Sequence, residues 1–296
     1  MTQTAIACSG IAEMLRAFSV ELNPGDAKVI EAACSRLDPG TEVFFTWIPG
    51  TDPMPTVEAA ARLRRSGLTP VPHIGARHVE SAAQLQRVVE GLAEAGVDRV
   101  LIVGGDRAHP AGPYDSSLAV MQTEILQKAG IHRIAVAGFP EGNPHIAPDV
   151  LEEALAAKVD FARRAGLQLS IVTQFCFAAK PIVDWLKRIR AQGLDQPVRI
   201  GLAGPAGLLT LARYAVRCGI GNSLHVLTEN PTFAKLLTEK GPEPIIRGIA
   251  DLTGPTSPPS LPQGVAGLHF FVFGGFNKTM DWISSQRPQS QASAHT

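Results

Sequence analysis

Several polar side chains stand within or just after short apolar runs of this sequence, where acids, imidazoles and amides are uncommon. Burying such a group without a partner costs on the order of several kcal/mol. A cluster of these groups therefore requires hydrogen bonds among its members or a ligand that supplies them. The residues are Glu21, Thr46, His73, Asp106 and Gln174, with Glu141 and Asn143 in the turn after the fifth run.

Each of these residues also has a structural explanation when it is taken alone. Glu21 is compatible with a paired core carboxylate or a helix cap, and Asp106 with a cap on the helix after its glycine turn. His73 alone is more typical of a hydrogen-bonded core histidine, and Gln174 of an amide that bonds a neighbouring strand. Their joint placement favours a shared functional site over four separate structural roles, because all four would lie at the same end of one sheet.

The sequence lacks the motifs of nucleophilic, phosphate-binding and metal-dependent enzymes. It contains no GxSxG elbow, no GxxxxGKS/T loop and no GxGxxG fingerprint. The four cysteines are scattered without ligand spacing, and His73 and His78 stand on a turn-like segment without an HExxH motif. We therefore predict no metal site. The remaining chemistry is acid/base and electrostatic, typical of proton or hydride transfer assisted by an organic cofactor.

Charge and composition restrict the partners that we expect. Lysine plus arginine and aspartate plus glutamate both total 27 in 296 residues, so the formal net charge is zero. No basic excess is available to neutralise phosphates, and we do not expect a nucleic acid partner. The cysteine usage favours a reducing, cytoplasmic setting. Residues 1–23 resemble neither a secretory signal nor a membrane span.

Short apolar runs alternate with helical patterns along the chain, as in parallel sheets joined by crossover helices. This alternation predicts a single-domain (β/α)8 TIM barrel over residues 1–286, with a doubly wound open sheet as the alternative. A flexible polar tail is predicted over 287–296. The predicted strands span 18–24, 42–48, 69–76, 99–105, 133–140, 169–176, 198–204 and 267–274.

Helical periodicity is clearest over 79–96, where apolar residues recur on one face before Gly96 ends the helix. Between the seventh and eighth strands the sequence predicts helices at 231–241 and 244–254 and a proline-rich loop at 254–264. A last helix is predicted over 276–285. The residues on the apolar face of 79–96 are Ala83, Leu85, Val88, Val89, Leu92 and Ala93.

Taken together, these motifs resemble those of the methylenetetrahydrofolate reductase family, in the same order and at similar spacings from Glu21 to Lys278. SVELNP resembles the family's SFEFFPP, VPHIGA its PHLTC, and IVGGDRAHP its LRGD motif. VAGFPEGNP resembles AAYPEXHP, and IVTQFCF resembles ITQFFFD. IGLAGPAGLLTLARYA and GLHFFVFGGFNK are similar to two later segments of the family.

The resemblance implies a fold, a reaction and a set of cofactors. The family folds as a (β/α)8 barrel and forms homo-oligomers. It reduces 5,10-methylenetetrahydrofolate to 5-methyltetrahydrofolate, and hydride passes from NADH or NADPH through a noncovalent FAD. The resemblance therefore implies an oxidoreductase of one-carbon and methionine metabolism.

The resemblance also implies roles for individual residues. Glu21 is implied as the general acid that protonates N10 of the folate, and Asp106 as a carboxylate near the flavin and the pterin. Gln174 is implied to bond the pterin, Tyr214 or its neighbour Ala215 to stack on the folate, and Lys278 to reach the carboxylate-bearing tail. The implied flavin contacts are Thr46, His73, Gly105, Asp106, Tyr114, Ala137, Phe139 and Asn143.

Some positions depart from the family pattern. Gly104 stands where the family has an arginine before GD, and Phe139 and Asn143 replace a tyrosine and a histidine. In the helix after strand five, three apolar residues and one arginine stand where the family contacts the FAD phosphates and adenosine. Counted back from Gln174, these positions are Ala156, Val159, Ala162 and Arg163, with Lys158 and Arg164 as possible substitutes.

These departures leave alternatives open at the level of sequence. One is a flavin-independent enzyme in which NADH transfers hydride directly to the folate, in a one-carbon catabolic route. Another is a pterin- or flavin-binding partner subunit without turnover, although Glu21 argues against it. A pterin-dependent methyltransferase would need a cobalamin partner or a zinc-thiolate site, which these cysteines do not suggest.

Overall fold

A computed structural model describes residues 11–12, 14–46, 52–217, 240–253 and 262–287 of the chain. Eight parallel strands pair in sequence order and close into a barrel, in which β1 pairs with both β2 and β8. The predicted (β/α)8 barrel is confirmed, and the open sheet is excluded. The strands are β1 (Phe18–Leu22), β2 (Glu42–Thr46), β3 (Thr69–Gly75), β4 (Arg99–Val103), β5 (Arg133–Gly138), β6 (Gln168–Thr173), β7 (Val198–Ala203) and β8 (Val265–Phe271).

Helices follow the strands and cover the outside of the barrel. A short 3-10 turn over Ala76–His78 follows β3. The described α-helices are α1 (Ala27–Arg36), α2 (Met54–Arg65), α3 (Ala82–Glu94), α4 (Ser117–Met121), α5 (Ile125–Lys128), α6 (Pro148–Arg164), α7 (Ala179–Ala191), α8 (Leu208–Arg217), α9 (Glu243–Thr253) and α10 (Phe276–Gln286).

The strands are apolar on both faces because each face is covered. One large cluster fills the layer between the strands and the helices. A smaller cluster lies inside the barrel, where alternate residues of neighbouring strands point inward. It is formed by Phe44, Val71, Leu101, Ala135 and Val172.

Helix α3 illustrates how the sequence specifies these crossover elements. Ser81 caps its N-terminus, since its hydroxyl accepts a hydrogen bond from Gln84 N at 3.1 Å. Gly96 follows its C-terminus with φ +78, a conformation that favours glycine. Leu85 and Leu92 are buried on the predicted face, together with Val88 and Val89. The prediction for Ala83 is wrong, because it lies exposed in the first turn.

The amino-terminal end of the barrel is closed by ion pairs across the interior. Glu42 on β2 accepts from Arg99 on β4 at 2.5 Å and from Arg199 on β7 at 2.6 Å. Their side chains are 15%, 25% and 19% exposed, so water screens these pairs only in part. The polar residues predicted to be functional lie at the opposite, carboxyl-terminal end of the strands.

The later part of the chain confirms two predicted helices. Helix α9 matches the prediction over 244–254, and α10 matches the prediction over 276–285. The helix predicted at 231–241 and the loop at 254–264 lie largely outside the described residues, as does the tail after residue 287. The division of the chain at residue 286 stays a prediction.

The turn between β6 and α7 is fixed by a carboxyl from the preceding strand end. Glu141 Oε1 accepts hydrogen bonds from Phe177 N at 2.9 Å and Ala178 N at 3.0 Å. Glu141 Oε2 is buried without a hydrogen-bond partner within the described part of the chain. Burial raises the pKa of Glu141 to about 7, although the two backbone N–H groups oppose this shift.

The end of β6 also approaches β7 closely. Gly201 N donates to Thr173 Oγ1 at 2.8 Å, and Cys176 N donates to Gly201 O at 3.1 Å. A Cβ at Gly201 would lie 2.3 Å from the carbonyl oxygen of Thr173 and 2.8 Å from that of Gln174. The absence of a side chain at Gly201 is therefore what permits the strand end that carries Gln174.

We predict that Gly201→Ala destabilises the protein by about 1–3 kcal/mol, because the new methyl group would force backbone apart. Gly207→Ala is the matched control, since a Cβ there would meet nothing within 4 Å. Urea unfolding of both variants measures the difference. Equal midpoints for the two variants would contradict the close approach at Gly201.

We also predict a pH-dependent effect of Glu141→Gln on stability. The folded-state pKa of about 7 lies above the ordinary value of 4.5, so the protonated carboxyl favours folding below pH 4.5 and this contribution is lost as the pH rises through 7. The free energy of unfolding of the wild type should thus fall relative to Glu141→Gln by on the order of 3 kcal/mol between pH 4.5 and 8. Urea unfolding at several pH values measures it. Glu153→Gln, an exposed change on α6, is the control, and a constant difference between wild type and Glu141→Gln would count against the raised pKa.

Candidate active site

The Glu21 carboxyl lies between two histidines at the carboxyl-terminal half of the barrel interior. Its Oε2 is 3.9 Å from Nε2 of His73 on β3 and 3.6 Å from Nε2 of His269 on β8. The two imidazole side chains are 8% and 0% exposed, whereas the Glu21 side chain retains 24% exposure. Solvent or a ligand can therefore reach the carboxyl but hardly the histidines.

Burial determines the charge of this group of side chains. It raises the pKa of Glu21, and His73 opposes that shift. Burial lowers the pKa of His73, with Glu21 opposing the shift and His269 adding to it. Burial, assisted by Arg199, lowers the pKa of His269 to about 3. The geometry thus favours an uncharged carboxyl beside uncharged imidazoles, which is the state a general acid requires before it acts.

An aromatic ring supplies the apolar wall behind these groups. Phe44 on β2 lies edge-on to His269, with ring centroids 4.6 Å apart, and edge-on to His73 at 6.0 Å. Phe44 is itself 2% exposed and heads the apolar cluster inside the barrel. The desolvation that raises the pKa of Glu21 is therefore due to packing inside the barrel, in addition to the apolar residues next to Glu21 on its own strand.

Sequence reasoning missed His269 and Ser19, which complete this group. Ser19 Oγ lies 2.9 Å from His269 Nδ1, and both residues are fully buried. Strand periodicity could have identified them, because Ser19 has the inward parity of Glu21 and His269 has that of Phe271. What the sequence lacked was a reason to single out a serine and a histidine inside apolar runs.

Asp106 lies beyond β4 and pairs with a third histidine, His78. Its Oδ1 is 2.9 Å from His78 Nε2, and its side chain is 75% exposed while that of His78 is 9% exposed. A Cβ at Gly105, where φ is +91, would lie 3.0 Å from His78 Nε2, and a Cβ at Gly75 would lie 2.6 Å from His78 Cδ2. Both glycines therefore make room for this imidazole, and Asp106 does not cap a helix.

The remaining strand-end residues lie at the same end of the barrel. Gln174 follows β6, where its N–H donates to Gly138 O at 2.8 Å and its side chain is half-buried. Ala137 and Phe139 are half-buried at the end of β5. Thr46 ends β2, but its side chain lies outside the described residues.

Asn143 and Tyr114 take part in local structure. Asn143 Oδ1 accepts a hydrogen bond from His145 N at 2.9 Å, which fixes the turn after β5. Tyr114 is 8% exposed and packs in the layer between strands and helices. Their implied contacts with a flavin stay predictions.

Aromatic rings gather where β6, β8 and α8 meet at this end of the barrel. The ring of Tyr214 stacks on that of Phe273, with centroids 4.2 Å apart and planes inclined by 25°. Phe175 lies 5.0 Å from Phe273 and 5.3 Å from Phe271. Phe273 has φ +47, an uncommon conformation for a bulky residue. Sequence reasoning missed Phe273, and the side chain of Ala215 lies outside the described residues.

Lys278 is exposed in the first turn of α10. It lines a cleft between α1 and α10 together with Lys28, Val29 and the segment 274–277. The ammonium groups of Lys28 and Lys278 give this cleft a positive charge. An anionic group is the kind of ligand that this charge favours.

Helix α6 shows which of its residues can face a cofactor. Val159 and Ala162 are 1% and 2% exposed and belong to the core, so they cannot contact a diphosphate. Arg163 pairs with Asp160 at 3.1 Å in the last turn, where Arg164 also lies, next to the amino-terminal end of β6. Arg164 is therefore at the wrong end of the barrel to substitute for a phosphate ligand.

Lys158 is the remaining cation on α6 that fits an anionic group. Its side chain is half-buried, and burial lowers the pKa of its ammonium group to about 8. No carboxylate pairs with Lys158 within the ranges that the structure describes. Beside the flavin contacts implied at the ends of β3 to β5, a Cβ at Gly104 would meet nothing within 4 Å, which leaves room for a ring. Lys158 is therefore the residue of α6 that could hold the diphosphate of a flavin cofactor.

Other ligand classes find little support in the described part of the chain. No group of three or more His, Cys, Asp and Glu side chains there is arranged to hold a metal ion. Burial raises the pKa of the Cys176 thiol well above its ordinary value, so it is a poor nucleophile. None of the described helices has the length and apolar character needed to cross a membrane.

A solved structure and a family model are similar to this chain. A solved dihydropteroate synthase from Thermus thermophilus, in complex with 6HMPPP, is 15% identical over 91% of this chain and 92% of its own, with a TM-score of 0.46, too distant for a functional argument. The family model described as methylenetetrahydrofolate reductase matches residues 29–221, more than half of the chain. The chain therefore belongs to the methylenetetrahydrofolate reductase family of oxidoreductases that act on folates.

Proposed function

We propose that the protein reduces 5,10-methylenetetrahydrofolate to 5-methyltetrahydrofolate, with NADH or NADPH as the source of hydride. The observation that carries the proposal is the Glu21 carboxyl, whose pKa burial raises beside two histidines with lowered pKa values, while the carboxyl stays accessible. A general acid must combine these two properties near neutral pH. Family membership supplies the folate and the reductive chemistry.

Glu21 begins the reaction by protonating N10 of the five-membered ring of the folate. The bond between N10 and the methylene carbon then breaks, and its electrons stay on N10, which holds the proton from Glu21. The methylene carbon is left as an iminium on N5, and hydride adds to that carbon to give the methyl group. Because the iminium is cationic, the exposed carboxylate of Asp106 lowers its free energy if the pterin lies near β4.

The folate is held by residues from the turn after β6 and from helices α8 and α10. Gln174 bonds the pterin, and Tyr214 stacks on the folate from α8, with Phe273 supporting its ring at 4.2 Å. Lys278 binds the carboxylate-bearing tail from the cleft between α1 and α10.

Residues at the ends of β2 to β5 and Lys158 on α6 would hold FAD. The cofactor would supply a hydride relay between the nicotinamide and the folate. Lys158 would bind its diphosphate, because this half-buried cation pairs with no carboxylate among the described residues. The residues that would contact the rest of FAD are Thr46, His73, Gly105, Asp106, Tyr114, Ala137, Phe139 and Asn143.

The wider context is proposed from the family. We place the protein in the cytoplasm, as a homo-oligomer in one-carbon and methionine metabolism. The alternative is direct hydride transfer from the nicotinamide to the folate without FAD, in a catabolic route. It keeps the same role for Glu21, so the acid chemistry does not depend on this choice.

We predict that Glu21→Gln folds normally but reduces the folate about 10²- to 10⁴-fold more slowly, because the amide cannot donate the proton that opens the ring. Steady-state oxidation of NADH or NADPH by the folate measures this, and Glu153→Gln is the surface control. The wild-type rate should fall as the pH rises through the raised pKa of Glu21, since only the protonated carboxyl donates. Undiminished folate turnover by Glu21→Gln would refute the proposed function.

We predict that the purified protein carries a yellow flavin absorbance that NADH or NADPH bleaches. Lys158→Met should weaken FAD binding about 10- to 100-fold, because a charge-assisted contact to phosphate contributes roughly 1.5–3 kcal/mol. Quenching of flavin fluorescence on titration measures the affinity, with Arg164→Met as the control on the same helix. A colourless protein that still oxidises NADH with the folate would establish direct transfer instead.

A further inference from the structure

Two fully buried polar residues inside the barrel are assigned to no step of the reaction proposed above. Ser19 on β1 and His269 on β8 are paired in the strand register, 250 positions apart in the chain. Ser19 Oγ lies 2.9 Å from His269 Nδ1, and both residues are 0% exposed. A polar pair in such a position costs free energy unless both groups are satisfied, so its retention needs a reason.

The two ring nitrogens of His269 face different partners. Nδ1 faces Ser19, and Nε2 faces Glu21 Oε2 at 3.6 Å. Nε2 has no hydrogen bond within the described part of the chain, and the Glu21 carboxyl lies beside it. A separation of 3.6 Å is slightly too long for a hydrogen bond, and a small rotation of the carboxyl closes it.

The position of the serine proton decides which nitrogen of His269 carries a proton. The Ser19 hydroxyl has one proton and two acceptors within reach, His269 Nδ1 at 2.9 Å and Leu268 O at 3.5 Å. The shorter contact favours donation to Nδ1. An uncharged imidazole that accepts at Nδ1 carries its proton on Nε2, so an N–H group points at Glu21 Oε2.

We propose that Ser19 and His269 form a positioning pair for the Glu21 carboxyl, in which the serine hydroxyl fixes the histidine tautomer and the Nε2–H group occupies Oε2. Oε2 then acts only as an acceptor, and the transferable proton is placed on Oε1. The same N–H group supports the carboxylate that remains after the proton has left. The inference deepens the proposed function and rests on Glu21 being the acid.

Charged and titratable groups around the pair come from other strands in the described part of the barrel. The Glu21 carboxyl on β1 lies beside His269 and also beside His73 on β3. Arg199 on β7 and Glu42 on β2 act on the imidazole from the amino-terminal side with opposite signs. None of these four groups contacts Nδ1 of the ring, which faces Ser19.

The test is a double-mutant cycle on folate reduction. Ser19→Ala should lower kcat about tenfold to a hundredfold with little change in the KM for the folate, because the tautomer is no longer fixed while the pocket keeps its shape. His269→Gln supplies a side-chain N–H without any tautomer, so adding Ser19→Ala to it should cause no further loss. Ser170→Ala, on β6, is the serine control. An undiminished effect of Ser19→Ala in the His269→Gln background would overturn the proposal, as would wild-type activity of Ser19→Ala.

A second measurement does not depend on turnover. The ¹⁵N chemical shifts of the imidazole should show His269 of the wild type protonated on Nε2, and a mixture of tautomers in Ser19→Ala. A wild-type His269 protonated on Nδ1 would overturn the proposal even if every variant fails to fold. If the wild type does not reduce the folate but shows the Nε2 tautomer, the proposed function fails while the pairing of Ser19 with His269 stands.

Discussion

The removal of one carboxyl group from water is the constraint on which the rest of this site depends. An ionised carboxylate in apolar surroundings is costly, so the group stays protonated and its pKa rises. Phe44 and the two histidines produce that effect around Glu21 by excluding water on the inner side. The remaining exposure of Glu21 keeps its proton available to a ligand. A fully buried carboxyl would hold its proton at least as firmly, but it would have nothing to protonate.

The barrel separates charges by their depth along its axis. At the amino-terminal end, Glu42 pairs with both Arg99 and Arg199, and these groups close that end of the interior. The middle is apolar or filled by uncharged polar groups such as Ser19 and His269. The ion pairs and the apolar middle therefore shield the carboxyl-terminal end from solvent on its inner side, while its outer side stays open. A ligand that binds there meets a preformed electrostatic environment, which is how enzymes lower barriers without reorganising at each turnover.

Residues beyond the strands hold the turns that form the rim of the site. The Glu141 carboxyl fixes the backbone of Phe177 and Ala178 after β6, and His78 pairs with Asp106 after β4. Gly105 has the positive φ and the lack of a side chain that this imidazole requires. The double-glycine turn thus accommodates a neighbouring histidine as well as leaving open space at Gly104. The orientation of Asp106 depends on a residue that lies outside its own strand and helix.

The sequence by itself determined the eight strands, their order and the end of the barrel at which Glu21, His73, Asp106 and Gln174 stand, because alternation and apolar runs are local properties. It also determined the family, through short motifs at strand ends. Only the tertiary structure decided that Glu21 meets His269, that Ser19 faces Nδ1, and that Tyr214 stacks on Phe273. These contacts join β1 to β8, or a helix to a distant loop. Their partners are fixed by the closure of the barrel and its strand register, which no local pattern of residues encodes.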